Sequence, residues 1–145
     1  MAPILTHLAL HVTDLERSIE FYAKYCEMRV IHRRSDSDGG GVVWMSERGR
    51  ETKMVFVLIS GGPRRPKLQS DFSHAGFALE SRDAVDRIAE RGREAGCLVW
   101  PPREDEYPVG YFCGLSDPDG LVVEFSFGQP LGPGAPQGDA VASSD

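Results

Sequence analysis

Apolar and polar positions alternate from Ile4 to Val12, and the period then lengthens to helical spacing at Leu15, Ile19, Phe21, Tyr22 and Tyr25. Alternation marks a strand with two different faces, and the longer period marks an amphipathic helix. Thr13 and Asp14 offer side-chain oxygens for the first turn, so the helix is predicted from about Leu15 to Tyr25. A short strand from Met28 to Arg34 follows and ends in a polar, Gly-rich turn, Ser35 to Gly41. Two more strands, Val42 to Ser46 and Met54 to Ile59, flank a charged turn around Gly49. The same order then returns. Ser73 to Leu79 is a strand, and Asp83 to Gly96 a helix with Val85, Ile88 and Ala89 on one face and Gly96 as its stop. Leu98 to Trp100 is a short strand and Pro101 to Pro108 a polar loop. Gly110 to Leu115 and Leu121 to Phe127 are strands joined by the turn Asp117-Pro118-Asp119-Gly120.

The recurrence extends to the residues themselves. Thr6-His7-Leu8-Ala9-Leu10-His11-Val12 reappears 67 residues later as Ser73-His74-Ala75-Gly76-Phe77-Ala78-Leu79. The same offset lays Phe56 to Gly61 on Val123 to Gly128. The chain is therefore expected to be α+β, with two βαβββ modules (about 4–61 and 71–128) building a curved mixed sheet within one domain, 1–128. A length of 145 residues suits a single domain. Residues 129–145 are rich in Gly, Pro, Ala and Ser without periodicity, and a flexible tail is expected there.

Apolar content of 41% and charged content of 26% are those of a soluble globular protein. No apolar run is long enough to cross a membrane, and no signal-peptide pattern opens the chain. A net charge of −6 argues against nucleic acid as the main partner. The basic clusters His32-Arg33-Arg34 and Arg64-Arg65-Pro66-Lys67 read more readily as solvated loop charge than as anion sites. Cys26, Cys97 and Cys113 are odd in number and lack CxxC spacing, which disfavours a disulfide framework or a structural zinc and fits a reducing cytoplasm. Cys113 reads as a buried, inert thiol.

The repeat also aligns chemistry. His7 and His74 occupy equivalent places on equivalent strands, while Glu124 stands where the first copy has Val57. Ala9 and Gly76 leave room beside the two histidines on the same strand face. Glu124 interrupts an apolar strand, where a carboxylate is costly unless paired or bound to a cation. Two imidazoles and a carboxylate suit a divalent transition metal with positions left open for a small-molecule substrate. Such an ion serves as a Lewis acid, or supports oxygen chemistry if it is iron. Taken one at a time, a strand histidine is more often a core or surface group, and Glu124 could be an exposed edge residue. Their repeat-equivalent placement is what groups them. His11 and His32 have no such counterpart and read as structural or peripheral. Trp44, Phe56, Val57 and Tyr111 are candidates for a substrate-binding wall, with plain core packing as the alternative for all four.

The pattern His7-x-x-Leu10-x-Val12-x-Asp14-Leu15-x-x-Ser18-x-x-Phe21-Tyr22, then His74, then Asp117-Pro118-Asp119-Gly120-x-x-x-Glu124 resembles the vicinal oxygen chelate superfamily. That group includes glyoxalase I, extradiol dioxygenases, fosfomycin-resistance enzymes, methylmalonyl-CoA epimerase and bleomycin-resistance proteins. The resemblance covers about residues 4–128. It implies paired βαβββ modules enclosing a metal site, and a homodimer whose sites draw ligands from both chains. Residue by residue, it makes His7, His74 and Glu124 the ligands of a divalent metal (Fe, Mn, Ni or Zn). Glyoxalase I carries a fourth ligand, a Glu, where this chain has Val57. Extradiol dioxygenases and fosfomycin thiol transferases use two His and one Glu, but place a Tyr where this chain has Gly114; Tyr111 lies three residues earlier. The resulting expectation is a metal-dependent enzyme of the glyoxalase/dioxygenase type that chelates vicinal substrate oxygens. A drug- or metabolite-binding protein of the bleomycin-resistance kind and a fosfomycin-type thiol transferase are the alternatives.

Overall fold

Each copy folds into the strand, helix and three strands that its pattern predicts, as seen in a computed structural model describing residues 1–64, 66–132 and 135. The first copy supplies β1 (His7–Val12), α1 (Leu15–Cys26), β2 (Met28–Ser35), β3 (Gly41–Glu47) and β4 (Val55–Ser60). The second supplies β5 (His74–Ala78), α2 (Arg82–Glu94), β6 (Leu98–Asp105), β7 (Gly110–Ser116) and β8 (Val122–Phe127). Each copy makes its own four-stranded mixed sheet, ordered β1-β4-β3-β2 and β5-β8-β7-β6. The first strand of each runs parallel to the last, and the other neighbours are antiparallel.

The chain divides into two compact units. One holds Met1–Gln69 together with the turn Asp117–Gly120; the other holds Ser70–Ser116 and the chain from Leu121 onward. In the first unit, Asp14 caps α1 by accepting from the Arg17 N–H at 3.1 Å. Phe21, Tyr22 and Tyr25 on the buried side of α1 form a core with Val43 and Met45 of β3 and Phe56 and Leu58 of β4. Tyr22 is fully buried and donates its hydroxyl to Asp117 at 2.7 Å, while Asp119 accepts from the Thr13 hydroxyl at 2.8 Å. The Asp-Pro-Asp-Gly turn is thus tied by two carboxylates to the start and middle of α1.

In the second unit, Ser81 caps α2 by accepting from the Ala84 N–H at 3.0 Å, and Val85, Ile88 and Ala89 are buried. The helix approaches β7 closely at Gly92, where a Cβ would lie 2.8 Å from Leu115 Cγ. Cys113, Leu115, Val123 and Phe125 complete this core, all with no exposed surface.

Two boundaries differ from the sequence reading by more than two residues. The loop expected over Pro101–Pro108 is largely strand, because β6 continues to Asp105. Strand β6 lies at the sheet edge and its register shifts between Trp100 and Arg103, so the missing Pro101 and Pro102 N–H groups cost no ladder bond. Strand β1 starts at His7 rather than Ile4, since its partner β4 begins at Val55, opposite His7. Of the tail and the second basic cluster, residues 133, 134, 136–145 and 65 lie outside the described residues.

Candidate metal and substrate site

Strand alternation gives each sheet a face turned away from its helix, and both faces carry candidate residues. With Val43, Met45, Phe56 and Leu58 in the core, Trp44 and Val57 point to the opposite side. A row across this face reads Ala9, Val57, Trp44, His32 through successive strand pairings. The equivalent row in the second unit reads Gly76, Glu124, Gly114, Trp100. The two rows show where the repeat has diverged: a carboxylate replaces an apolar residue, and the indole has moved by one strand.

In the second unit His74 and Glu124 come together. His74 Nε2 lies 3.8 Å from Glu124 Oε2, and Glu124 is only 7% exposed. His74 Nδ1 donates to the Phe72 carbonyl at 2.7 Å. A carbonyl can only accept, so the proton on that nitrogen is fixed and Nε2 is the atom turned to the carboxylate. Gly76 provides the room, since a Cβ there would stand 3.3 Å from Glu124 Oε2. Gln129 supports the same oxygen through its amide at 3.4 Å. A ring nitrogen and a carboxylate oxygen facing each other beyond hydrogen-bond range form a donor pair suited to a cation between them. Trp100 walls the pair. Its ring meets His74 edge-on at a centroid distance of 5.3 Å and covers Gly114, where a Cβ would lie 2.6 Å from the indole.

His7 belongs to the first unit and is exposed. Its Nδ1 is hydrogen-bonded to the Thr6 hydroxyl at 3.0 Å, which again leaves Nε2 for a ligand. Among the described residues of the single chain, no group of three or more His, Cys, Asp or Glu side chains is placed to hold one ion. His7 instead opens onto a cavity of about 570 Å³ in its own unit, within the usual size of small-molecule pockets. Ala9, Trp44, Val57 and Ile59 give it apolar walls, and Lys53 and Glu51 stand among its polar groups.

The other candidate wall residues are placed elsewhere. Phe56 is 6% exposed in the core, edge-on to Tyr22 at 5.5 Å. Tyr111 lies on β7 in the second unit, where its hydroxyl donates to Asp86 and Arg82 stacks on its ring at 4.0 Å. His11 packs against the chain at Gly62, where a Cβ would collide with its ring, and His32 supports Trp44 edge-on at 5.5 Å. In the first basic cluster Arg33 and Arg34 pair with Glu16 and Asp36. Sequence reasoning missed Trp100, Gln129 and Lys53. Trp100 had a signal, being an indole beside a glycine-bearing strand; the other two had none beyond their polarity.

A family model described as the Glyoxalase/Bleomycin resistance protein/Dioxygenase superfamily matches residues 4–125. Protein PA2024 of Pseudomonas aeruginosa is 58% identical over 135 residues, covering 93% of this chain and 96% of that protein. The glutathione transferase FosA of Serratia marcescens is 27% identical over 131 residues, covering 88% of this chain and 83% of FosA. Among solved structures, a mutant of the fosfomycin resistance protein FosX of Listeria monocytogenes, complexed with Mn(II) and dihydroxypropylphosphonic acid, superposes with a TM-score of 0.70. It shares 21% identity and covers 87% of this chain and 93% of that one, a likeness of fold.

Proposed function

Because this chain belongs to the Glyoxalase/Bleomycin resistance protein/Dioxygenase superfamily, we propose that it is a metal-dependent enzyme acting on a small molecule with vicinal oxygens. His7, His74 and Glu124 are the proposed metal ligands. The observation that carries this reading is the facing of His74 Nε2 and Glu124 Oε2 at 3.8 Å, with His74 Nδ1 held by a backbone carbonyl. A bound divalent ion would supply Lewis-acid stabilisation of charge on the substrate oxygens. The remaining work falls to the protein. The Phe72 carbonyl and Trp100 fix the His74 ring, and Gln129 orients the Glu124 carboxylate. Trp44, Val57 and Ile59 hold the substrate against an apolar wall and keep water from it.

The proposed assembly is a homodimer in which His7 of one copy joins His74 and Glu124 of the second. Apolar side chains left open on both units, among them Leu8 and Val99 at 41% and 44% exposure, supply surface for a second copy to cover. Two experiments test these readings. Metal analysis after expression with Fe, Mn, Ni and Zn available should find stoichiometric metal, lost in Glu124→Ala; no metal in either would overturn the ligand set. Mixed dimers of His7→Ala and Glu124→Ala chains should regain about half of the metal, because one shared site keeps all three ligands. If every site draws on a single chain, the mixed dimer holds none.

Among the family's chemistries, the proposed reaction is one that needs no carboxylate base at position 57. Val57 cannot carry a proton, and Glu51, the carboxylate lining the same cavity, is engaged by Arg29. Addition of a thiol to fosfomycin fits that condition, and the likeness to FosA over 88% of the chain favours it. Its test is glutathione-dependent loss of fosfomycin. Oxygen uptake with a catechol would select dioxygenase chemistry instead, and turnover of a glutathione hemithioacetal would restore the glyoxalase reading.

A further inference from the structure

We propose that the cavity beside His7 selects an anion with a flat or branched apolar body: the body lies on Trp44 and Val57, and the negative group sits at Lys53. This inference rests on the proposed function for the site's role and on the cavity's own residues for its selectivity. Trp44 is 43% exposed although it stands mid-sheet, and His32 supports it edge-on at 5.5 Å. A large ring held in place and left bare is a platform for a flat ligand. Around it the walls are apolar, formed by Ala9, Val57 and Ile59.

With Arg29, the partner of Glu51, counted in, the charges at the cavity do not cancel. Glu51 is ion-paired with Arg29, which lies outside the cavity lining. Lys53 has no side-chain partner among the described residues, leaving one unneutralised cation at an apolar cavity. Low-dielectric walls strengthen such a charge's pull on an anion relative to open water. The ammonium is also adjustable in reach, so it ranks ligands by charge rather than by a fixed shape.

The probes are 3,4-dihydroxyphenylacetate and its near-isosteric neutral analogue 4-ethylcatechol, titrated calorimetrically into the full-length protein with and without Zn(II). The acid should bind about five- to tenfold more tightly at low salt. Raising the salt should shrink the ratio, since the lysine is exposed. Lys53→Met should bring the ratio to about one and leave 4-ethylcatechol unchanged, while Trp44→Ala should weaken both probes about tenfold. Equal affinities, a ratio that survives Lys53→Met, or no binding of either probe at millimolar concentration overturns the inference, with or without metal. A Lys53-dependent ratio in metal-free protein, unchanged by Zn(II), upholds the inference and makes it independent of bound zinc.

Discussion

Gly114→Ala isolates the contact between Trp100 and the face of the second sheet that carries Glu124. The added Cβ would stand 2.6 Å from Trp100 Cε3, 2.8 Å from Trp100 Cδ2 and 3.0 Å from Val122 Cγ1. Two of the three contacts are to one ring, so the ring must move. Overpacking of this kind costs about 1–3 kcal/mol. For a chain of this length that corresponds to a fall in Tm of about 3–10 °C. The assay is urea unfolding followed by far-UV circular dichroism, run on Gly114→Ala, Trp100→Ala and the double variant. Once the indole is gone only the Val122 contact remains, so Gly114→Ala should cost less than about 0.5 kcal/mol in the Trp100→Ala background. The coupling between the two changes should then be about 0.5–3 kcal/mol. Because Trp100 also meets His74 edge-on at 5.3 Å, Gly114→Ala should weaken metal retention more than an equally destabilising change in α2. Equal losses of stability in both backgrounds would refute the claim that Trp100 fills the space over Gly114.

The thiols and the buried phenol give two further tests. Cys26 and Cys113 are buried, burial pushing the Cys113 thiol up to about 12 and raising that of Cys26, whereas Cys97 is half-buried. Native protein at pH 8 should therefore show one thiol reacting readily with Ellman's reagent, and all three after unfolding in guanidinium; a second fast thiol in the native state would contradict the burial of Cys26 on α1 or of Cys113 between β7 and α2. Burial first, and then the charge of Asp117, hold the Tyr22 phenol far above its ordinary range. The folded state keeps this proton where the unfolded chain, titrating near 10, has released it, so its stabilising effect is complete below pH ~10 and declines by about 1.4 kcal/mol per pH unit above. Tyr22→Phe should cost about 1.5–3 kcal/mol at neutral pH, by leaving Asp117 without that donor, and should flatten the alkaline decline by one group's share. An unchanged alkaline slope would rule out Tyr22 as its source.

Periodicity made the fold legible because it records which side of each element is buried. The switch from alternation to helical spacing at Leu15 and the return of the same order after Ser73 identify ten elements, which the structure contains. The metal candidates were legible for a different reason: duplication makes a carboxylate opposite Val57 conspicuous in a way that one copy alone would not. What could not be read depends on partners brought from far along the chain. The Asp-Pro-Asp-Gly segment reads as a turn, but its second task, taking the Tyr22 hydroxyl and the Thr13 hydroxyl, appears only when the turn meets α1. Tyr22 did carry a hint, because a phenol within a buried helix stripe needs an acceptor. The prolines of β6 misled for a comparable reason: whether a missing N–H matters depends on the strand's place in the sheet, which local sequence does not encode.

The departures at Val57 and Gly114 look like losses in the sequence and like exchanges in the structure. At Val57, the position paired with both Ala9 and Trp44, an apolar side chain extends the wall on which Trp44 lies. At Gly114 the missing side chain is what admits Trp100 against His74. Both changes exchange a polar functional group for aromatic or aliphatic surface next to a proposed metal ligand, and neither touches His7, His74 or Glu124. In the proposed function, selection rests on the walls beside each ligand: Trp44 and Lys53 at the cavity beside His7, and Trp100 beside His74. Exchanging Trp44 or Lys53 should change which molecule is bound while leaving metal retention unchanged.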